Sequence, residues 1–108
     1  MENENKIMSY KVEGQVIIYQ MPKELDHHVA QKLCKELDML VDSYQPKELI
    51  LDFANTEFMD SSGIGVIIGR SKTMGFREGK VCVINMGKRV ETIFYSAGLN
   101  KIVEVKEA

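Results

Sequence analysis

The chain has 108 residues, 44% of them hydrophobic, and carries 14 Lys plus Arg against 16 Asp plus Glu for a formal charge of −2. That length supports one ordinary domain with its own core, without a metal or disulfide staple, and a balance with no basic tract longer than Lys88-Arg89 argues against nucleic acid as a partner. The polar, acidic start Met1-Glu2-Asn3-Glu4-Asn5-Lys6 lacks the basic-then-apolar pattern of a signal peptide, and no apolar run reaches membrane-spanning length, so a cytosolic chain with a flexible tail over 1–6 is expected.

After that tail, Met8-Ser9-Tyr10-Lys11-Val12 alternates like a half-exposed strand, Glu13-Gly14 supplies a turn, and Val16-Ile17-Ile18-Tyr19 reads as the second strand of a hairpin. Pro22 and Lys23 interrupt it. Asp26 or His27 then opens a helix whose apolar stripe is Val29, Leu33, Leu37, Leu40 and Val41, ended by Tyr44-Gln45-Pro46. Leu49-Ile50-Leu51-Asp52-Phe53 is a continuous apolar run of the kind expected of a strand covered on both faces. The connection Ala54 to Asp60 is longer than such loops usually are, and extra loop at the C-terminal end of a strand points to function.

A second helix is predicted from about Ser62 to Met74, with Ile64, Ile67 and Ile68 on one face, Gly65 and Gly69 permitting close packing, and Gly75 as its stop. Val81-Cys82-Val83-Ile84 is a further buried strand, Val90, Ile93, Phe94 and Ala97 mark a third helix stopped by Gly98, and Ile102-Val103 with Val105 makes a last strand. Cys34 and Cys82 are far apart, lack a C-x-x-C partner and fall on apolar faces, so they read as reduced core thiols. Seven methionines include Met39, Met59, Met74 and Met86 at element ends or faces, where they would fill gaps. A hairpin followed by alternating strands and helices predicts an α/β fold: a mixed sheet of about four to five strands, its later members parallel, with three or more helices.

The stretch Phe58-Met59-Asp60-Ser61-Ser62-Gly63-Ile64-Gly65-Val66 carries the most information, since it sets two hydroxyls where a loop turns into a helix. Unpaired N–H groups and partial positive charge at that point favour a capping side chain and would favour a phosphate. Asp60 or Ser61 as a simple N-cap is the plain structural reading. A nucleophilic serine fits poorly, because the context is not G-x-S-x-G and no histidine stands out as its base. Gly63-x-Gly65-x-x-x-Gly69 resembles a dinucleotide fingerprint, but its spacing is one residue too long and it lies inside the helix. Asp26-His27-His28 lacks the i, i+4 pairing that a helical metal site needs, so Asp26 reads as a cap. No metal or cofactor is expected. Met59 and Phe58, if exposed beside Ser61, would form an adaptable contact surface.

Leu25-Asp26-His27-His28, Leu49-Ile50-Leu51-Asp52-Phe53, the Phe58–Val66 stretch and Ser96-Ala97-Gly98-Leu99 together resemble the STAS family, and within it the bacterial anti-sigma factor antagonists of the sporulation type. The resemblance covers Tyr10 to Val105. It implies a small STAS-fold switch protein without catalysis of its own, cytoplasmic, that binds a GHKL-type serine kinase which is also the anti-sigma factor. By implication the kinase phosphorylates Ser61, a PP2C-type phosphatase resets the switch, and the partner surface comprises Asp26, His27, Phe58, Met59, Asp60, Ser62 and Gly63. Two departures stand out: many members carry a further C-terminal helix after the last strand, and the usual glycine before Glu-Leu-Asp is replaced here by Gln20-Met21-Pro22-Lys23. The competing readings are a STAS interaction module in a sensory or transport complex that is never phosphorylated, and a nucleotide-binding domain.

Overall fold

The computed structural model describes residues 9–108. The tail expected over residues 1–6, and Met8 of the first expected strand, lie outside them. In chain order the elements are β1 (Tyr10–Glu13), β2 (Val16–Gln20), β3 (Glu24–Leu25), α1 (His27–Tyr44), β4 (Glu48–Asp52), β5 (Phe58–Met59), α2 (Ser61–Phe76), β6 (Lys80–Ile84), α3 (Lys88–Ser96), a 3₁₀ turn (Leu99–Lys101) and β7 (Glu104–Val105). The main sheet runs β1-β2-β4-β6-β7, and β3 and β5 pair separately. Among the described residues of this sheet only the β1–β2 hairpin is antiparallel; β2–β4, β4–β6 and β6–β7 are parallel. The hairpin turns at Gly14, whose φ of +61° is a conformation that glycine adopts without steric cost. The α/β class and the mixed five-stranded sheet agree with the sequence reading.

One face of the sheet is dry. Ile17, Tyr19, Leu49, Leu51, Val81 and Val83 belong to one core cluster with Leu33, Leu37 and Val41 of α1, Val66, Ile67 and Met74 of α2, and Val90 and Phe94 of α3. Burying each large aliphatic side chain contributes roughly 1.5–3 kcal/mol, which is what holds the helices down. The α1 stripe differs from the expected one at its start, where Ala30 is buried and Val29 only half-buried. The expectation that β4 is covered on both faces is corrected by its alternating burial: Leu49 and Leu51 are enclosed, whereas Glu48, Ile50 and Asp52 face the other side and are half-buried. Hydropathy alone missed this because Ile50 is as apolar as its neighbours.

That second face carries a polar network. The Cys82 thiol donates to Glu48 Oε2 at 2.9 Å, and Lys106 Nζ reaches the same oxygen at 2.7 Å. Burial, then the Glu48 carboxylate, push the Cys82 thiol up to about 12, so the thiolate is suppressed at neutral pH; both cysteines are free thiols. The thiol hydrogen bond first, then Lys106, hold Glu48 below the usual carboxylate range. A carboxylate depressed in the folded state contributes stability that is present above its unfolded pKa and is lost as pH falls through the folded value. Acid titration should therefore destabilise the wild type more steeply than Glu48→Gln on the acid side of the ordinary carboxylate range, measured as thermal midpoint against pH; parallel curves would contradict the assignment.

Several boundaries also move. α2 starts at Ser61, passes the expected stop at Gly75 and ends at Phe76; the chain turns at Glu78 with φ of +60°. The true packing glycine there is Gly79, where an added Cβ would meet the Lys47 carbonyl oxygen at 2.8 Å. Gly65 and Gly69, expected to pack closely, have nothing within 4 Å of such a Cβ. The last strand is only Glu104–Val105, because Ile102 and Val103 close the preceding 3₁₀ turn, their N–H groups both donating to the Leu99 carbonyl at 3.0 Å. Ala97 and Met39, expected on packed faces, are exposed. No helix among the described residues is long and apolar enough to cross a membrane.

Candidate functional site

The parallel strands deliver their C-terminal ends to one side of the molecule, and α1, α2 and α3 begin there after caps at Asp26, Asp60 and Gly87. The long connection after β4 is not free loop. It contains β5, which pairs in parallel with β3 in the register Glu24↔Phe58 and Leu25↔Met59. Backbone bonds extend the pairing: Glu57 and Phe58 N–H donate to the Lys23 carbonyl at 2.8 and 3.2 Å, and Asp60 N–H donates to the Leu25 carbonyl at 3.2 Å. The residue before Asp26 thus holds the residue before Ser61, which sets the mouths of α1 and α2 side by side.

Each mouth is closed by an aspartate. Asp26 Oδ1 accepts from Val29 N–H at 3.0 Å, and Asp60 Oδ1 accepts from Ser62 N–H at 2.8 Å. Asp60 has extended φ and ψ of −107° and −168°, the N-cap geometry, so Ser61 is the first helical residue and the cap is its neighbour. Asp60→Ala should cost about 1 kcal/mol of stability by leaving that N–H without its acceptor. Urea melts check it, and a wild-type midpoint would show that the cap contributes nothing.

The sequence-expected site residues divide into two groups. Asp26, His27, Phe58, Asp60, Ser61 and Ser62 reach the surface wholly or in part: Ser61 and His27 are exposed, Phe58 is 42% exposed, and Asp26, Asp60 and Ser62 are half-buried. Met59 and Gly63 do not. Met59 is 1% exposed and fills a gap, as one of its two readings had it; the alternative of an exposed methionine beside Ser61, and with it the place of Met59 in the expected partner surface, is corrected. Strand alternation explains it: Phe58 and Met59 are adjacent in β5, so their side chains point to opposite faces and only one is free. Gly63 is buried directly over Met59. A Cβ there would overlap Met59 Cγ, lie 2.6 Å from its Sδ and 3.0 Å from Leu25 Cδ2. These two residues shape the surface from beneath. The same packing removes the dinucleotide reading of Gly63-x-Gly65, since the space at Gly63 is filled by a side chain and Gly65 lies within α2.

The arrangement presents a hydroxyl at the positive end of a 16-residue helix, with an aromatic ring and the α1 mouth beside it. Three bracing residues escaped the sequence reading. Asp52 Oδ1 accepts from Ala54 N–H at 2.9 Å and from Asn85 Nδ2 at 3.0 Å, tying together the loops after β4 and β6. Thr56 Oγ1 donates to the Pro22 carbonyl at 2.7 Å. An aspartate followed two residues later by a loop N–H was a readable turn signal. The Asn85 and Thr56 partners are 33 and 34 residues away in sequence, which no local pattern reveals.

Known proteins resemble this chain in sequence and in fold. The STAS domain family model matches residues 8–108. An anti-sigma F factor antagonist of Paenibacillus polymyxa is 33% identical over 90 residues, covering 83% of this chain and 77% of that protein. An anti-sigma-B factor antagonist of Listeria monocytogenes is 31% identical over 86 residues, covering 77% and 72% respectively. Among solved structures, the anti-sigma factor antagonist SpoIIAA in its unphosphorylated form superposes with a TM-score of 0.81 at 23% identity, over 92% of this chain and 85% of that one, a likeness of fold. With the family model spanning nearly the whole chain and two relatives above 30% identity, the chain belongs to the STAS domain family.

Proposed function

We propose that this chain is an anti-sigma factor antagonist: unphosphorylated, it binds an anti-sigma factor that is a GHKL-type serine kinase and thereby frees the sigma factor, and phosphorylation on Ser61 ends that binding. The observation that carries the reading is the placement of Ser61, an exposed hydroxyl in the first turn of α2 beside the α1 mouth. The names of the curated relatives support the partner class. Asp26, His27, Phe58, Asp60 and Ser62 form the contact surface, with Phe58 as its apolar anchor; Met59 and Gly63 act as its support. A PP2C-type phosphatase restores the hydroxyl, and the chain works in the cytoplasm as substrate and binding module, not as an enzyme.

Physical chemistry makes Ser61 suited to a reversible charge. A phosphate adds about −1.5 to −2 charge, and the helix N-terminus offsets part of it by roughly 0.3–2 kcal/mol. The fold tolerates the modification while the surface gains negative charge. The test is displacement: added to a preformed complex of sigma factor and anti-sigma kinase, the unphosphorylated chain should release free sigma factor on size-exclusion chromatography. A complex that elutes unchanged at excess chain would refute the antagonist reading.

A further inference from the structure

Two segments leave the main sheet side by side and reunite as the β3–β5 pair. The first departs at Pro22: Met21 N–H still donates to the Asp52 carbonyl at 2.8 Å, extending the β2–β4 ladder, but Pro22 has no N–H to continue it. The second departs after Phe53, whose N–H donates to the Ile84 carbonyl at 3.0 Å and whose own carbonyl accepts from Thr56 N–H at 3.0 Å. Between these departure points lies the Thr56 hydroxyl, donating to the Pro22 carbonyl at 2.7 Å. Thr56 is 7% exposed, so its hydroxyl does not exchange this bond freely for water. It adds a rung, made by a side chain, ahead of the Lys23 and Leu25 rungs. A pairing only two residues long is marginal by itself, so an additional, part-buried rung bears on whether it holds register.

We propose that Thr56 is a positioning residue for Ser61: its hydroxyl locks β5 against β3 and so fixes the approach to α2, five residues before Ser61, in the place where a kinase can address the serine. The inference rests on the reading of Ser61 as the phosphoacceptor. The methyl group of Thr56 fills space that valine fills equally, so Thr56→Val removes the hydrogen bond while keeping the shape, and Thr56→Ser keeps the hydroxyl. Misplacement of a reacting atom by an ångström can lower a rate by about a hundredfold, so even a small slip of β5 is consequential.

Two readouts on the full chain separate the possibilities. By hydrogen exchange, Thr56→Val should speed the Glu57, Phe58 and Asp60 amides by about tenfold or more, while amides of β4 and β6 keep their protection. With a purified anti-sigma serine kinase that phosphorylates the wild-type chain, Thr56→Val should lower kcat by about tenfold or more with little change in KM, and Thr56→Ser should restore both readouts. Wild-type exchange and kcat in Thr56→Val would overturn the proposal, as would a Thr56→Ser variant no better than Thr56→Val or protection lost equally throughout the fold. A wild-type chain that accepts no phosphate on Ser61 would instead overturn the phosphoacceptor reading, and the exchange experiment alone would then decide whether Thr56 holds β5 in place.

Discussion

Gly63→Val is expected to be the most destabilising single change at the switch end, costing about 1–3 kcal/mol or more by overpacking, while Gly65→Val leaves stability nearly unchanged. The two glycines are two residues apart on α2 and differ in what lies beside them. A side chain at Gly63 would collide with Met59 Cγ and Sδ and touch Leu25 Cδ2, and Met59 is enclosed between β5 and α2 with no solvent to move into. Gly65 is exposed with nothing within 4 Å of a Cβ, and replacing a helical glycine recovers part of its roughly 0.5–1 kcal/mol penalty relative to alanine. For a domain of this size each kcal/mol moves the thermal midpoint by about 4–8 °C, so calorimetry resolves the contrast. The packing account fails if Gly63→Val melts like wild type or if Gly65→Val is the destabilised variant.

Ser61→Asp should weaken binding to the anti-sigma kinase by at least about tenfold, since each factor of ten requires only about 1.4 kcal/mol and a new charge on an interface must be desolvated against the partner. Asp26 and Asp60 stand at the adjoining helix mouths, so the added charge joins two existing carboxylates. Ser61→Ala should bind like wild type and resist inactivation. Neither variant should lose much stability, because the capping bond belongs to Asp60 and not to Ser61. Isothermal titration with the kinase measures the affinities; equal affinity for Ser61→Asp and wild type would exclude an electrostatic switch at this residue.

Much of this architecture was legible because strong local signals agree with the tertiary structure. The helical spacing of Leu33, Leu37, Leu40 and Val41 placed α1 on the core, and Asp26 announced its start. Gln45 in the left-handed conformation followed by Pro46 ended it as expected. The strand-loop-helix transition marked the Asp60-Ser61-Ser62 segment, but from the residues alone it read as a cap, and only the family resemblance singled out Ser61 as the expected phosphoacceptor. What the sequence hid was set by distant partners. β3 and β5 are two residues each, too short for periodicity to register, and they exist because each supplies the other's hydrogen bonds across the fold. Met59 could be read either as a gap-filler or as part of an exposed surface because its hydropathy says nothing about which side of β5 it takes, and that side is decided by the space Gly63 leaves open. Ile50 read as enclosed on both sides for a similar reason: its apolarity is visible in the sequence, but the partial exposure of its face of the sheet is not.

The most direct test of the central claim is the site of modification. The chain is incubated with an anti-sigma serine kinase and ATP, digested, and mapped by peptide mass spectrometry, with Ser61→Ala run in parallel. The account predicts one phosphate, on Ser61, and none in the Ser61→Ala variant. Phosphate on Ser62 alone, or undiminished incorporation into Ser61→Ala, would contradict it.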